Sequence, residues 1–303
     1  MNLFHKKDQY QGYNIYSMKK YVDKKRILFA VLTAILVVFT LLLIAIYSIS
    51  TIKMLKNIDE QNQQLIALSN KFKEEAQLEL QQKQQIWEEN KNNIKHIYSS
   101  ETNRVFLTFD DGPSDNTTEI LKILQNYGIK ANFFVLGTRV EVMPEKVKEI
   151  YEQGHFIGNH GYSHVYESIY SSSQSVLDEY NKTNELIQKA LGNYNFKTKL
   201  FRFPGGLVGG KYEEIKKQAE QILEQNQILN VDWNALTGDS ESTKPTAEKI
   251  MYNLQKTAGG KKSVVLLMHD SAAKKITVDT LPQVIEYFKN QGYEFKTFND
   301  VLK

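Results

Sequence analysis

The rhythm of apolar positions changes twice along the chain. Ile27 to Tyr47 is one unbroken apolar run, ILFAVLTAILVVFTLLLIAIY, without a charged residue. As a helix, rising about 1.5 Å per residue, it is long enough to cross a hydrocarbon layer of roughly 30 Å. It is also long for the core of a signal peptide, and no small-residue cleavage site follows Tyr47. Lys19, Lys20, Lys24, Lys25 and Arg26 precede it, so the positive-inside rule assigns 1–26 to the cytoplasm and everything after Ser48 to the outside. Residues 48–99 then turn polar, rich in Gln, Lys, Glu and Asn. Ile58, Leu65 and Phe72 recur every seven residues with Leu68 on the same side, while Gln61 and Glu75 break the seam. The expectation is a solvated helical stalk of about 70 Å, fraying at Asn90, Asn92 and Asn93 before the domain; a homodimer through it is left open.

From Arg104 the pattern alternates. Strand-like runs fall at 105–109, 131–136, 155–158, 200–203, 229–233, 263–268 and 294–298. Helical periodicity fills the intervals at Thr117–Tyr127, Pro144–Gln153, Ser172–Leu191, Glu213–Asn226, Ala247–Thr257 and Asp279–Asn290. Ser171 and Gln174 read as a capping box opening the third of these helices. Such alternation predicts an α/β fold with a parallel sheet, arranged as a (β/α) barrel over 100–303. In barrels of this kind chemistry gathers at the C-terminal ends of the strands.

Composition narrows the picture. The sequence has 303 residues, 41% hydrophobic and 24% charged, as folded proteins do. Its net charge of +3, with no long basic run beyond residue 26, gives no footprint for nucleic acid. The absence of cysteine excludes disulfides and thiolate metal sites. No proline precedes Pro113, and no glycine lies between Gly12 and Gly112, which agrees with a helical first third.

Four strand ends carry candidate chemistry. The first is TFDDGP, in which Asp110 and Asp111 cannot face one pocket on a regular strand. Gly112 and Pro113 end the strand there and let the chain aim both carboxylates at the barrel mouth. The second is His160-Gly-Tyr-Ser-His164, whose imidazoles share a side if the intervening residues form a helical turn. One carboxylate and two imidazoles suit Zn²⁺ or a similar ion and leave positions for water and substrate, the pattern of a catalytic site. The third is Arg202-Phe-Pro-Gly205-Gly206: a guanidinium fork for a carboxylate, then a rigid loop whose backbone N–H can approach a ligand. The fourth is LMHD, which places His269 at the mouth as a general acid or base. Asp239, after the fifth run, is a carboxylate that could hold the His269 imidazolium.

TFDDGP, HxxxH, RFPGG and LMHD in this order resemble the polysaccharide deacetylase family, that is, the NodB-homology domain of carbohydrate esterase family 4, over about 104–299. The resemblance implies an incomplete (β/α) barrel that removes N-acetyl groups from an amino-sugar polymer. It implies Asp111, His160 and His164 as metal ligands, the ion being zinc, with cobalt, manganese or nickel as alternatives. It implies Asp110 as general base held by Arg202, the Gly205 N–H as oxyanion donor, and His269 as general acid supported by Asp239. Two positions depart from the family pattern. Ser240 stands where an aromatic residue often follows the aspartate, and Gly161 where Ser or Thr often follows the first metal histidine. The substrate class expected is a surface glycan, peptidoglycan first, with poly-N-acetylglucosamine or a capsule polymer as alternatives. An inactive glycan-binding module would not demand this residue set, and a glycosidase needs two carboxyl groups about 5–9 Å apart but explains neither the histidine pair nor Arg202.

Overall fold

The computed structural model describes residues 15–242 and 244–303, with side chains from Asp23 onward. Of the basic segment 1–26, residues 1–14 and the side chains of Lys19 and Lys20 lie outside the described residues. The chain forms two units, Met1–Leu80 and Gln81–Lys303. In the first unit one helix, α1 (Ile15–Lys95), begins and runs on without a break into the second. The apolar run 27–47 lies exposed on it, and the helix is long and apolar enough to cross a membrane.

The second unit is built on a central strand, β1 (Arg104–Asp110), buried from Val105 to the end. Side chains alternate across a strand, so β1 feeds two cores. Val105, Leu107 and Phe109 join an outer cluster with Ile120 and Leu124 of α2 (Asp115–Tyr127) and Leu281 and Ile285 of α9 (Lys275–Asn290). Phe106 points the other way, into an inner cluster with Phe134, Phe156, Leu200, Leu229, Val231, Val265 and Phe298. Thr108 and Asp110 follow Phe106 at even spacing and share that inner face.

The remaining strands are β2 (Asn132–Val135), β3 (Phe156–Asn159), β4 (Leu200–Phe201), β5 (Leu229–Asn230), β6 (Ala235–Leu236), β7 (Ser263–His269) and β8 (Glu294–Phe295). All pairings are parallel, in the order β5-β4-β3-β2-β1-β7-β6, with β8 beside the start of β1. Laid flat, the seven ordered strands would be about 29 Å across. Yet β5 and β6, at opposite ends, are joined by only residues 231–234, a reach of about 17 Å at most. The sheet must therefore curl, and it forms an incomplete (β/α) barrel whose end strands do not pair.

Helices on its outside are α3 (Gly137–Val142), α4 (Pro144–Glu152), α5 (Tyr166–Ile169), α6 (Ser173–Leu191), α7 (Glu213–Gln225) and α8 (Ala247–Ala258), besides α2 and α9. Several elements differ from the sequence reading. β6, α3 and α5 are too short to show periodicity. The cap of α6 is Ser172, whose hydroxyl accepts from Ser175 N, in place of a Ser171–Gln174 box; the reciprocal box sits instead at Ser114 and Thr117 of α2. Helix α9 starts at Lys275 rather than Asp279, because Thr277, Val278 and Leu281 bury against the barrel despite Pro282 inside the helix. The stretch expected to fray does not: Asn90 donates to Lys303 O and accepts from Lys303 N, Asn93 donates to Val301 O, and Ile94 and Ile97 enter the inner core.

Candidate metal centre and active site

The end of β1 assembles the first part of the site. On the inner face, Thr108 Oγ1 and Asp110 Oδ1 accept from Arg202 Nη1 at 2.7 and 2.9 Å. Arg202 is wholly buried. Its remaining donors reach Val231 O and Asp232 O, and its guanidinium lies 4.1 Å from the centre of the Phe134 ring. A charge so enclosed requires this full set of partners, because an unpaired one would cost several kcal/mol. Asp111 leaves the strand with φ 73°, a left-handed conformation that breaks the alternation and brings its carboxylate beside that of Asp110. Gly112 is obligatory behind it: a Cβ there would lie 2.2 Å from both Asp270 carboxylate oxygens. Burial pushes the Asp270 carboxyl up to about 7, against a hydrogen bond from Thr117.

The two histidines come from the loop after β3, and they meet without a helical turn. The loop is irregular, with Gly161 at φ 81° and His164 at φ 56°. Here the Gly161 departure has its explanation, since a Cβ would sit 2.8 Å from Ile169 Cδ1 in a conformation that favours glycine. The stiffness comes from elsewhere. Gly161 N donates to Asn159 Oδ1, and Glu179 of α6 accepts from Tyr162 N, Ser163 N and Ser163 Oγ.

His160 Nδ1 donates to Arg202 O at 2.8 Å, which fixes the ring and leaves Nε2 facing the site. His160 Nε2 and His164 Nε2 lie 3.5 and 3.4 Å from Asp111 Oδ1. One donor atom from each of the three residues falls within 4.8 Å of the others. Asp111 Oδ1 is buried and has no hydrogen-bond partner among the described residues. A carboxylate oxygen left unpaired between two imidazole nitrogens fits a divalent cation of the zinc type. Burial works against the Asp111 charge, but His160, His269 and His164 hold its carboxyl well below the usual range. Burial likewise disfavours the His160 imidazolium, yet Asp110 and Asp111 raise its pKa.

Next to β1, β7 runs parallel in a register that sets His269 beside Asp110. His269 Nδ1 bonds Asp239 Oδ1 at 2.8 Å, so Nε2 is the nitrogen left for chemistry. Asp239 Oδ2 accepts from His269 N and Thr277 Oγ1. Burial lowers the His269 pKa, but the Asp239 hydrogen bond and charge, with Asp110 and Asp111 beyond, raise it to about 9. Ser240 is exposed, and Trp233 lies 5.8 Å from the Arg202 guanidinium and packs on Gly206. Gly205 is exposed in the turn after β4, at φ 77°.

All eight residues singled out in the sequence thus lie around one mouth. Glu179, Thr277, Tyr166 and Tyr170 were not singled out. The two that act through loops sit on helices α6 and α9, where a lone Glu or Thr looks like an ordinary surface position.

Known proteins resemble this chain. Residues 97–222 match the polysaccharide deacetylase family. A peptidoglycan-N-acetylglucosamine deacetylase of Bacillus cereus is 33% identical over 206 residues, covering 66% of this chain and 68% of the relative. A second, from the same organism, is 30% identical over 203 residues, covering 66% of this chain and 88% of the relative. The structure of a Streptococcus mutans CE4 esterase matches with TM-score 0.62 and 33% identity, over 68% of this chain and 90% of that one. A Bacillus anthracis CE4 family pseudoenzyme matches with TM-score 0.56 and 25% identity, over 68% and 67%. Fold and site define a deacetylase, a hydrolase of non-peptide carbon–nitrogen bonds. The chain belongs to the polysaccharide deacetylase family.

Proposed function

We propose that this protein removes acetyl groups from N-acetylglucosamine of peptidoglycan at the cell surface, with Asp111, His160 and His164 holding a divalent ion, zinc first. The observation that carries the reading is the placement of Asp110, gripped by Arg202, and His269, gripped by Asp239, on adjacent strands beside the Asp111–His160–His164 group. The relatives named as peptidoglycan-N-acetylglucosamine deacetylases support the choice of polymer.

A bound ion would polarise the acetamide carbonyl and make a water more acidic. Asp110 takes the proton of the attacking water, and Arg202 keeps its carboxylate aimed at the mouth. The Gly205 N–H stabilises the charge growing on the carbonyl oxygen, a contribution of a few kcal/mol per donor. His269 Nε2 gives its proton to the departing nitrogen, because an amine leaves far more readily than its anion, and Asp239 keeps that proton in place until it is needed.

The anchor 27–47, with the domain 100–303 outside and 1–26 in the cytoplasm, belongs to the same proposal. The exposed apolar run and the preceding Lys24, Lys25 and Arg26 support it. Within the stalk 48–99, residues 81–99 pack as part of the second unit. A dimer through the stalk has only the seven-residue recurrence behind it. Purified full-length protein should release acetate from cell walls and from N-acetylglucosamine oligomers without new reducing ends. New reducing ends would point to a glycosidase, and no acetate from either substrate would end the reading.

A further inference from the structure

The turn after β4 presents a backbone donor with nothing to bond. Gly206 N closes it by donating to Phe203 O at 2.8 Å, while Gly205 N–H finds no acceptor among the described residues. The direction of that N–H is fixed from behind. Tyr170 Oη donates to Pro204 O at 2.7 Å, within a buried contact. In a trans peptide the carbonyl and the following N–H point opposite ways. Tyr170 therefore holds the Pro204 carbonyl inward and turns the Gly205 N–H out toward the mouth.

A second donor lies over the same peptide. A Cβ built on Gly205 would fall 2.6 Å from Tyr166 Oη and 3.3 Å from Tyr166 Cζ, so the phenol occupies the space that a side chain at 205 would take. The Tyr166 ring is 5.7 Å from the His164 ring and 5.7 Å, edge-on, from that of Tyr170. Tyr166 begins α5, whose buried Ile169 and following Tyr170 pin it in place. Its hydroxyl has no hydrogen-bond partner among the described residues, and Tyr166 is exposed, at 38%. Packing alone would be served as well by phenylalanine. The hydroxyl is a donor without an acceptor, held between a proposed metal ligand and an unpaired backbone N–H.

We propose that Tyr166 is a catalytic residue: its hydroxyl donates a second hydrogen bond, beside that of Gly205 N–H, to the acetamide oxygen as that oxygen gains charge. Tyr170 is the positioning residue of the pair. No proton is transferred, and the phenol keeps its hydrogen throughout. The inference rests on the deacetylase reading, and it explains how an exposed glycine turn can offer a directed oxyanion site.

The test uses the full-length protein in detergent with N-acetylglucosamine oligomers, measuring kcat and KM separately along with metal content and melting temperature. Tyr166→Phe keeps the ring and removes only the hydroxyl. Its kcat should fall about 10²–10³-fold with KM, metal content and melting temperature unchanged, as for loss of one oxyanion donor. Tyr170→Phe frees the Pro204 carbonyl, and should lower kcat about tenfold at unchanged KM and metal content. A Tyr166→Phe enzyme with wild-type kcat overturns the proposal while leaving the deacetylase reading intact. So does a loss confined to KM, which would make the ring a sugar platform only, or a loss that follows metal content. Absence of acetate release by the wild type overturns the deacetylase reading and this proposal with it.

Discussion

Replacing Asp239 with asparagine should move the alkaline limb of activity without disturbing the rest of the site. In the wild type, Asp239 Oδ1 faces His269 Nδ1, while Oδ2 accepts from two donors, His269 N and Thr277 Oγ1. An asparagine must keep its oxygen toward those two donors. Its NH₂ then points at His269 Nδ1, which can only accept, so the hydrogen bond favours the neutral ring. The wild-type shift from 6.5 to about 9 corresponds to on the order of 3 kcal/mol in favour of the imidazolium. With the partner gone and burial remaining, the pKa should fall to about 6.5 or below. At pH 8 the protonated fraction of His269 would drop from about 90% to about 3%, a loss near thirtyfold, whereas at pH 6 it would change less than twofold. Because the folded pKa lies above the unfolded value, the accompanying stabilisation is fully present below about pH 6.5 and is lost as the pH rises through about 9. Asp239→Asn should therefore lower the melting temperature at pH 6 and much less above pH 9. The assay is kcat/KM for acetate release between pH 5 and 10, with melting curves over the same range. An alkaline limb at the same pH in both proteins would refute the role of Asp239.

Other substitutions separate the parts of the site. His160→Ala should lose bound metal and activity together, as measured by elemental analysis and acetate release, and chelation of the wild type should be reversible on adding zinc; full activity of metal-free protein would contradict both. Asp110→Asn should keep its metal content and lose several orders of magnitude in kcat, and turnover near that of the wild type would remove Asp110 as the base. Gly112→Ala places a methyl 2.2 Å from the Asp270 carboxylate, so thermal unfolding should register a loss of about 1–3 kcal/mol together with weakened metal binding. For topology, protease added to intact, wall-stripped cells should remove the domain after residue 100, and a fully protected domain would refute the orientation.

The strand ends were legible because each couples an apolar run to a residue that cannot belong inside one. Phe106, Thr108 and Asp110 alternate onto one face by the period of a strand, and that period alone puts Asp110 inside the barrel. What the period could not give is Asp111, whose left-handed φ of 73° is a local choice made by the collision-free space at Gly112. The histidine pair was found by spacing, but the helical turn expected between the two rings is absent. Three residues of loop bring them together, held by Glu179 farther along the chain, which accepts from Tyr162 N and Ser163 N. Contacts across such sequence distances leave no periodic trace. The same holds for residues 90–97, whose asparagines look solvated until the C-terminal residues pack against them.

Fold alone does not make this chain an enzyme, since a CE4 family pseudoenzyme shares the barrel at TM-score 0.56. The distinction has to lie in groups whose presence is costly unless used. Arg202 is buried without exposure and consumes Val231 O, Asp232 O, Thr108 and Asp110 to remain there, although an apolar side chain could fill the same interior at no electrostatic cost. Asp111 Oδ1 is buried with no hydrogen-bond partner among the described residues, in a position facing two imidazoles, and such an orphan weakens the fold unless a cation completes it. His269 is held charged near neutrality, although burial opposes it. The first two of these arrangements sacrifice stability, and all three converge on one mouth. A module that only bound glycan would gain nothing from maintaining them, whereas hydrolysis of an amide needs a held base, a polarising ion and a proton for the leaving nitrogen at the same place.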